Sequence, residues 1–208
     1  MFTGIITDVG VLQSSHRQSG GEWGDTRMRI SCNYDVETIE IGASISHNGA
    51  CMTVVTKGKT SDSPGGWYEF DVSDESLSKT TMGAWNIGKL INLERAMTAK
   101  DELGGHLVTG HIDQVVGVLE TESIAGSRRI RFELPGNYRV AIAPKGSVCI
   151  DGVSLTVNKV GADWFEVNII PHTLEVTTLR ELQAGSKVNL EIDLIARYVA
   201  RYLAHMKA

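Results

Sequence analysis

The sequence predicts an all-β protein in which one antiparallel barrel module of about 100 residues is repeated in tandem and followed by a C-terminal α-helix. Three observations support this fold class. The same motifs occur in the same order in both halves, and short segments alternate polar and apolar residues between glycine-rich turns. Residues that favour a longer helix are confined to the end of the chain.

The internal duplication is carried by two pairs of segments. Residues 48–54 (NGACMTV) correspond to residues 151–157 (DGVSLTV), and residues 67–72 (WYEFDV) correspond to residues 164–169 (WFEVNI). The spacing differs slightly between the copies because the first copy has the longer loops. Ordered self-similarity of this kind indicates two copies of one structural unit.

Short strands separated by turns are predicted within each copy. Residues 27–30 alternate polar and apolar side chains, as expected of a strand with one buried face. Repeated runs of this kind predict an antiparallel barrel or a sandwich. The Gly/Ser-rich stretches 14–25 and 57–66 are predicted to be exposed turns, and short helices are expected near residues 74–80 and 173–178.

The bulk composition excludes several classes of protein. The 208 residues carry a net charge of -5 without a basic stripe, so we expect no nucleic acid partner. No apolar run approaches the roughly 18 residues of a membrane span, and no signal peptide is recognised at the start. Cys32, Cys51 and Cys149 are widely spaced, which argues against a disulfide framework or a zinc site. These features together predict a cytoplasmic protein.

The last segment, residues 194–208, is predicted to form a helix. Its apolar residues Ile195, Val199, Tyr202 and Met206 follow one another at spacings of four, three and four, which places them on one stripe. Such a stripe packs either against the helix's own barrel or against symmetry-related copies in an oligomer.

The positions at which the two copies differ are candidates for a divided task. Cys51 in the first copy corresponds to Ser154 in the second, and Ala96 corresponds to Asp193. Cys51 is either a small buried apolar residue or a reactive thiol. Asp193 precedes the terminal helix, where an aspartate either caps the helix or handles protons as a carboxylate.

Two histidines lie in a glycine-flanked stretch between the copies. His106 and His111 are five residues apart, which predicts opposite faces of a strand and argues against a shared metal ion. The first copy has Ile5 at the position of His111. A histidine beside glycines that permit close backbone approach suits a planar ligand, whereas the alternative is an ordinary surface or core histidine.

Seven segments together resemble riboflavin synthase of the trimeric, lumazine-dismutating type, and the likeness extends over essentially the whole chain. The segments are residues 1–6, 47–54, 104–112, 145–146, 150–157, 170–174 and 189–193. The resemblance implies two six-stranded antiparallel barrels, residues 1–97 and 98–193, and a helix, residues 194–208, through which a homotrimer assembles. Association with lumazine synthase is a further partner suggested by the family.

The resemblance also implies a transferase activity. Two molecules of 6,7-dimethyl-8-ribityllumazine react, one gives up a four-carbon unit to the other, and the products are riboflavin and 5-amino-6-(D-ribitylamino)uracil. The family needs no cofactor and no metal. The chain departs from the family at Ala50, where some members have a second cysteine, and at His172, where others have glutamate.

The residues that would contact the two ligands follow from the same resemblance. The ligand of the N-terminal barrel would be lined by Gly4, Ile5, Ile6, Cys51, Met52, Thr53, Asp71, Val72, Ser73, Asp74, Glu75 and Ser76. The ligand of the C-terminal barrel would be lined by Gly110, His111, Ile112, Lys145, Ser154, Leu155, Thr156, Asn168, Ile169, Ile170, Pro171, His172 and Thr173.

Four of these positions are expected to take part in catalysis: Cys51, His111, Ser154 and Asp193. Ser154 and Asp193 would act as a polar pair near the C7 side of one ligand, and Cys51 would lie near the reacting carbons of the other. Two alternatives remain at this point, a lumazine- or flavin-binding protein without catalysis and a purely structural barrel scaffold. The reactive residues retained in the second copy favour the enzyme.

Overall fold

Two closed six-stranded antiparallel barrels and a C-terminal helix make up the computed structural model, which describes residues 1–18, 25–60 and 65–206. The predicted fold class is confirmed, and the barrel, not the sandwich, is the form that both copies adopt. The first barrel contains β1 (Asp8–Arg17), β2 (Thr26–Cys32), β3 (Ser44–His47), β4 (Ala50–Lys59), β5 (Gly66–Val72) and β6 (Leu90–Arg95). Its strands close in the order β1-β2-β5-β4-β3-β6.

The second barrel is built in the same way. It contains β7 (Gln114–Ile124), β8 (Ser127–Glu133), β9 (Ser147–Ile150), β10 (Val153–Val160), β11 (Trp164–Ile169) and β12 (Lys187–Ile192). Its strands close in the order β10-β11-β8-β7-β12-β9, which is the same circuit as in the first barrel. The duplication detected in the sequence is therefore a duplication of structure.

Each barrel encloses its own apolar core. Along β2 and β5 every second residue is buried, so that Ile30, Tyr68 and Phe70 point inward while the intervening polar residues face outward. In the second barrel Phe132 and Phe165 stack at 5.3 Å between ring centroids. The period-two pattern of the sequence is the direct cause, because successive side chains of a strand point to opposite faces.

The turns predicted at residues 14–25 and 57–66 are shorter in the structure, because the neighbouring strands extend into both ranges. β1 continues to Arg17 and pairs there with Thr26, and β4 continues to Lys59 and pairs with Gly66. The turn prediction is therefore wrong for residues 14–17, for residues 57–59 and for Gly66. Ladder hydrogen bonds use the backbone, so polar side chains at these positions do not end the strands. The central parts of both predicted turns, residues 19–24 and 61–64, lie outside the described residues.

The described residues form three α-helices in addition to the barrels: α1 (Asp74–Lys79), α2 (Pro171–Val176) and α3 (Leu194–Met206). The two short helices are where the sequence predicts them, each directly after a barrel strand. Ser73 caps the N-terminus of α1, and its hydroxyl accepts a hydrogen bond from the Ser76 amide. α2 begins with a proline, which suits a first helical position.

The apolar stripe of helix α3 is exposed to solvent. Ile195, Val199, Tyr202 and Met206 are each more than half exposed, and α3 contains no buried residue. The first turn is anchored to the second barrel because Arg197 forms a bidentate ion pair with Asp113. Capping of its own barrel therefore accounts for the start of α3 but not for the stripe. No helix among the described residues is long and apolar enough to cross a membrane.

Four polar residues join the two barrels about a pseudo-twofold axis. The Asn92 side-chain amide donates to the Asp151 carbonyl at 2.9 Å, and the Asn189 side-chain amide donates to the Asn48 carbonyl at 2.9 Å. Asn48 and Asp151 both adopt φ 45 and occupy equivalent hairpins. Their side chains accept hydrogen bonds from the backbone amides of Asn92 and Asn189, respectively. The barrels are thus docked by reciprocal hydrogen bonds at buried positions.

The one chemical asymmetry of this junction, Asp151 opposite Asn48, predicts a pH-dependent stability. Burial raises the pKa of Asp151 from 3.8 to about 7. The folded state therefore favours the protonated carboxyl. The contribution of Asp151 to the free energy of unfolding is fully present below pH 3.8 and is lost as the pH rises towards 7. We expect Asp151→Asn, which copies the first barrel and keeps the oxygen that accepts from Asn189, to raise Tm at pH 8 more than at pH 5.

Thermal unfolding at the two pH values measures this effect. A pKa shift is equivalent to about 1.4 kcal/mol per unit, so the difference amounts to a few kcal/mol at most. Asn48→Asp is the matched reverse change and should lower Tm at pH 8. Equal Tm changes at both pH values would refute the assignment of this pH dependence to Asp151.

Candidate functional site

Two buried glutamates hold two equivalent chain segments at the barrel junction. Both the backbone amide and the hydroxyl of Thr3 donate to Glu94 Oε1, at 2.6 and 2.7 Å. The same groups of Thr109 donate to Glu191 Oε1, both at 2.7 Å. In each case the next residue donates its amide to the second carboxylate oxygen at 3.0 Å. Burial raises the pKa of both carboxyls, although these donors partly oppose the rise.

The segments anchored by the two glutamates extend to the opposite barrels. The Ser154 amide of β10 donates to the Gly4 carbonyl at 2.8 Å, and the Cys51 amide of β4 donates to the Gly110 carbonyl at 2.9 Å. Both glycines have positive φ, +77 and +83. A Cβ on Gly4 would lie 2.5 Å from the Ser154 Cβ, and a Cβ on Gly110 would overlap the Cys51 Cβ. Glycine is therefore required at both positions.

This crossing corrects the predicted grouping of ligand contacts. The resemblance predicts Gly4, Ile5 and Ile6 as contacts of the ligand in the N-terminal barrel, and Gly110, His111 and Ile112 as contacts of the ligand in the C-terminal barrel. That grouping is wrong, because Gly4 contacts Ser154 and Ile6 packs against the core of the second barrel. Gly110 contacts Cys51, and Ile112 packs against the core of the first barrel.

The crossing residues complete a surface that we call the N-terminal seat, formed by Cys51 and Thr53 on the outer face of β4, the start of α1 and His111. Cys51 is half-buried, whereas Thr53 and His111 are exposed. Because Val54 pairs with Phe70, the preceding residues of β4 lie beside the end of β5, where α1 begins. The Met52 side chain points into the core, so only its backbone faces the seat.

Two of the predicted contacts in this seat are already paired with arginines. Asp71 accepts two hydrogen bonds from Arg27, at 2.5 and 2.9 Å, and Asp74 accepts two from Arg17, at 2.7 and 2.8 Å. The hydrogen bonds from Arg17 lower the pKa of Asp74. These carboxylates brace the turn between β5 and α1.

The equivalent surface of the second barrel, which we call the C-terminal seat, consists of Ser154 and Thr156 on the outer face of β10, the start of α2 and the crossing residue Ile5. Ser154 is half-buried, and Thr156 and Ile5 are exposed. Leu155 points into the core, as Met52 does in the first barrel. Among the predicted contacts at the end of β11 and in α2, Ile169 is buried. The residues on either side of it are exposed: Asn168, Ile170, Pro171 and His172.

Lys145 lies in the turn that precedes β9. Its backbone amide donates to the Val157 carbonyl at 2.7 Å, its φ is 68, and its side chain is exposed. The ammonium group is thus free to reach away from its own barrel.

A residue outside the predicted site lies directly against Ser154. His106 Nδ1 and Ser154 Oγ are 2.7 Å apart in a hydrogen bond, and the His106 side chain is buried, with the residue only 8% exposed. Burial lowers the pKa of His106, and the negative charge of Asp193 partly opposes this effect. The sequence predicts Ser154 and Asp193 as a polar pair, but in the structure the hydrogen-bond partner of Ser154 is His106.

The remaining predicted catalytic residues divide between the seats. Asp193 Oδ1 accepts a hydrogen bond from the Ile195 amide at 2.8 Å, so the expectation that it caps the terminal helix is confirmed, while its charge acts on His106. Cys51 and His111 belong to the N-terminal seat. Within the described residues, no cluster of His, Cys, Asp and Glu side chains is suited to a metal ion.

Comparison with known proteins agrees with this arrangement. Residues 3–96 and 109–193 each match the family model described as the lumazine binding domain. Riboflavin synthase of Brucella abortus (strain 2308) is 45% identical over 210 residues that cover 100% of both chains. Riboflavin synthase of Photobacterium phosphoreum is 38% identical over 98% of this chain and 89% of its own.

A solved structure, LumP complexed with riboflavin, superposes with a TM-score of 0.76 at 26% identity and covers 92% of this chain and 99% of its own. Duplicated barrels with two inequivalent seats define a tandem lumazine-binding protein. Within that class, the chain belongs to the riboflavin synthase family.

The close approach of Gly4 to Ser154 predicts that Gly4→Ala destabilises the protein and displaces the C-terminal seat. Gly42→Ala is a matched control, because Gly42 also has positive φ (+90) but meets nothing within 4 Å of an added Cβ. Both variants carry the backbone strain, and overpacking should take roughly 1–3 kcal/mol more from the unfolding free energy of Gly4→Ala. Urea unfolding measures the difference, and equal losses in the two variants would contradict it.

Proposed function

We propose that this chain catalyses the dismutation of two 6,7-dimethyl-8-ribityllumazine molecules to riboflavin and 5-amino-6-(D-ribitylamino)uracil. The observation that carries the proposal is the pair of seats that share one backbone frame but differ in reactive groups. Cys51 occupies one seat, and Ser154 with its His106 partner occupies the other. Two like surfaces suit two identical substrates, and unlike groups suit a reaction in which one molecule donates carbon and the other accepts it.

Positioning supplies much of the expected rate. Holding two reactants in the correct geometry removes translational and rotational entropy equivalent to as much as roughly 7–11 kcal/mol. The lumazine C7 methyl is acidic for a methyl group because its anion is delocalised over the ring, so a modest base at the C-terminal seat suffices. In this proposal Ser154 and Asp193 handle protons there, while Cys51 and His111 contact the other ligand at the N-terminal seat.

The proposed assembly is a homotrimer in which the N-terminal seat of one copy meets the C-terminal seat of its neighbour. The exposed apolar stripe of α3 supports self-association, since a stripe of this kind is stabilised by burial against another helix. Residues 1–97, 98–193 and 194–208 are proposed as the two ligand-binding units and the assembly element. Three free cysteines favour a reducing cytoplasmic setting. Association with lumazine synthase stays a prediction.

A second candidate function is ligand binding without catalysis. The observation that favours it is the structural likeness to LumP, which was solved in complex with riboflavin. The two functions differ in what happens to bound lumazine, because a binding protein leaves it unchanged.

Incubation of the purified protein with 6,7-dimethyl-8-ribityllumazine separates the two functions. The enzyme is expected to form one riboflavin for every two lumazine molecules consumed, followed by absorbance. Ser154→Ala should lower kcat by about 10²-fold and leave ligand affinity almost unchanged, since general acid–base groups contribute on that scale. Ser123→Ala, an exposed position on β7, is the control. Tight lumazine binding without riboflavin formation would establish the second candidate instead.

The proposed trimer predicts that α3 is sensitive on one face only. Val199→Asp places a charge within the apolar stripe, whereas Ala204→Asp places the same charge on the opposite face of the helix. Val199→Asp should convert the trimer to monomers and lower activity in parallel, as measured by light scattering and riboflavin formation. Neither residue is buried in the chain, so both variants should fold. A fully active Val199→Asp monomer would rule out a site shared between copies.

A further inference from the structure

We propose that His106 is a positioning residue that accepts the proton of the Ser154 hydroxyl, which makes the C-terminal seat the place where the substrate methyl group is deprotonated. The inference rests on the proposed function and adds a residue and a direction of proton transfer to it.

The environment of His106 fits this role. The His106 amide donates to the Thr3 carbonyl at 3.1 Å. This hydrogen bond joins the segment that contains His106 to the N-terminal segment, which Glu94 holds in place. Gly105 brings that segment close to β10, because a Cβ at position 105 would lie 2.7 Å from the Ser154 Cβ. The imidazole is thereby held with Nδ1 at the Ser154 hydroxyl, 2.7 Å away. Its Nε2 is buried and has no hydrogen-bond partner among the described residues.

The equivalent position in the other seat lacks this group. Cys51 receives its crossing contact from Gly110 just as Ser154 receives one from Gly4. No histidine forms a hydrogen bond with the Cys51 thiol within the described residues, and the exposed His111 follows Gly110 in the chain. The two seats therefore share their backbone frame, but one of them also carries a buried base.

The proton transfer balances without any further reactant. The C–H bond of the C7 methyl breaks, its proton goes to Ser154 Oγ, and the Ser154 hydroxyl proton passes to His106 Nδ1. The electron pair stays on the lumazine as a delocalised anion, and His106 becomes an imidazolium. A later step that takes up a proton reverses the relay and restores both neutral side chains.

The groups around His106 set its pKa and thereby the pH range in which the proton transfer can occur. Asp193, which precedes α3, is the charged group that acts on His106. Two neutral groups face the segment that contains His106, namely the Ser154 hydroxyl of β10 and the Thr3 carbonyl of the N-terminal segment. Burial lowers the pKa of His106, so the ring is neutral and able to accept a proton at neutral pH. Activity should decline as acid protonates the ring, because an imidazolium has no free acceptor nitrogen.

The test compares His106→Asn with the parent protein. The Asn side chain places an oxygen near the Nδ1 position and can still accept a hydrogen bond from Ser154, but it does not take up the proton. We expect kcat to fall by about 10²-fold with KM within about twofold, and the decline of kcat at acidic pH to disappear. Deuterium exchange into the C7 methyl of bound lumazine, followed by NMR in D2O, should slow by the same factor.

Two further comparisons make the outcome decisive. His16→Asn, on the exposed part of β1, is the matched control and should behave as the parent. Ser154→Ala combined with His106→Asn should cost little more than Ser154→Ala alone, because the two residues act as one unit. If the parent makes riboflavin while His106→Asn keeps both its kcat and its acidic decline, the inference is overturned. If the parent makes no riboflavin, the proposed function fails instead.

Discussion

The exchange of backbone between the two barrels is the constraint on which the rest of the structure depends. Gly4 accepts a hydrogen bond from Ser154 in the second barrel, and Gly110 accepts one from Cys51 in the first. Each seat is therefore bordered by a segment whose chain continues into the other copy's strands. Neither barrel forms its seat alone, so each copy of the module contributes residues to the seat of the other.

That exchange requires the barrels to be docked at a fixed distance and angle. The reciprocal hydrogen bonds of Asn92 and Asn189 to the opposite hairpins supply this, and they are buried, so loss of either donor would leave an unsatisfied carbonyl. Asp151 is tolerated at the junction because one of its oxygens accepts from the Asn189 amide. The junction thus combines rigidity with a titratable group, Asp151, and the pH dependence of stability that we predict arises at the junction and not in the seats.

The parts of the structure that depend on local periodicity could be predicted from the sequence. Alternation predicts the barrel strands, and the spacing of Ile195 and Val199 predicts the apolar stripe of α3. The crossing of Gly4 to the second barrel could not be predicted, because nothing within residues 1–6 indicates which barrel they contact. The hydrogen bond between His106 and Ser154 could not be predicted for a related reason. Its partner Ser154 is 48 residues away, and comparison of the two copies directs attention to His111, which has a counterpart in Ile5.

The division of labour between the seats follows from what each crossing segment brings with it. Both segments deliver a glycine and a carbonyl, which place the backbone of β4 or β10 in the same way. Only the segment that reaches Ser154 is joined there by Gly105 and His106, and the charge of Asp193 then favours a proton on that imidazole. One seat therefore presents a thiol, and the other presents a hydroxyl hydrogen-bonded to a buried imidazole. Under the proposed function, two molecules of one substrate would meet different groups in the two seats and so become unlike reactants.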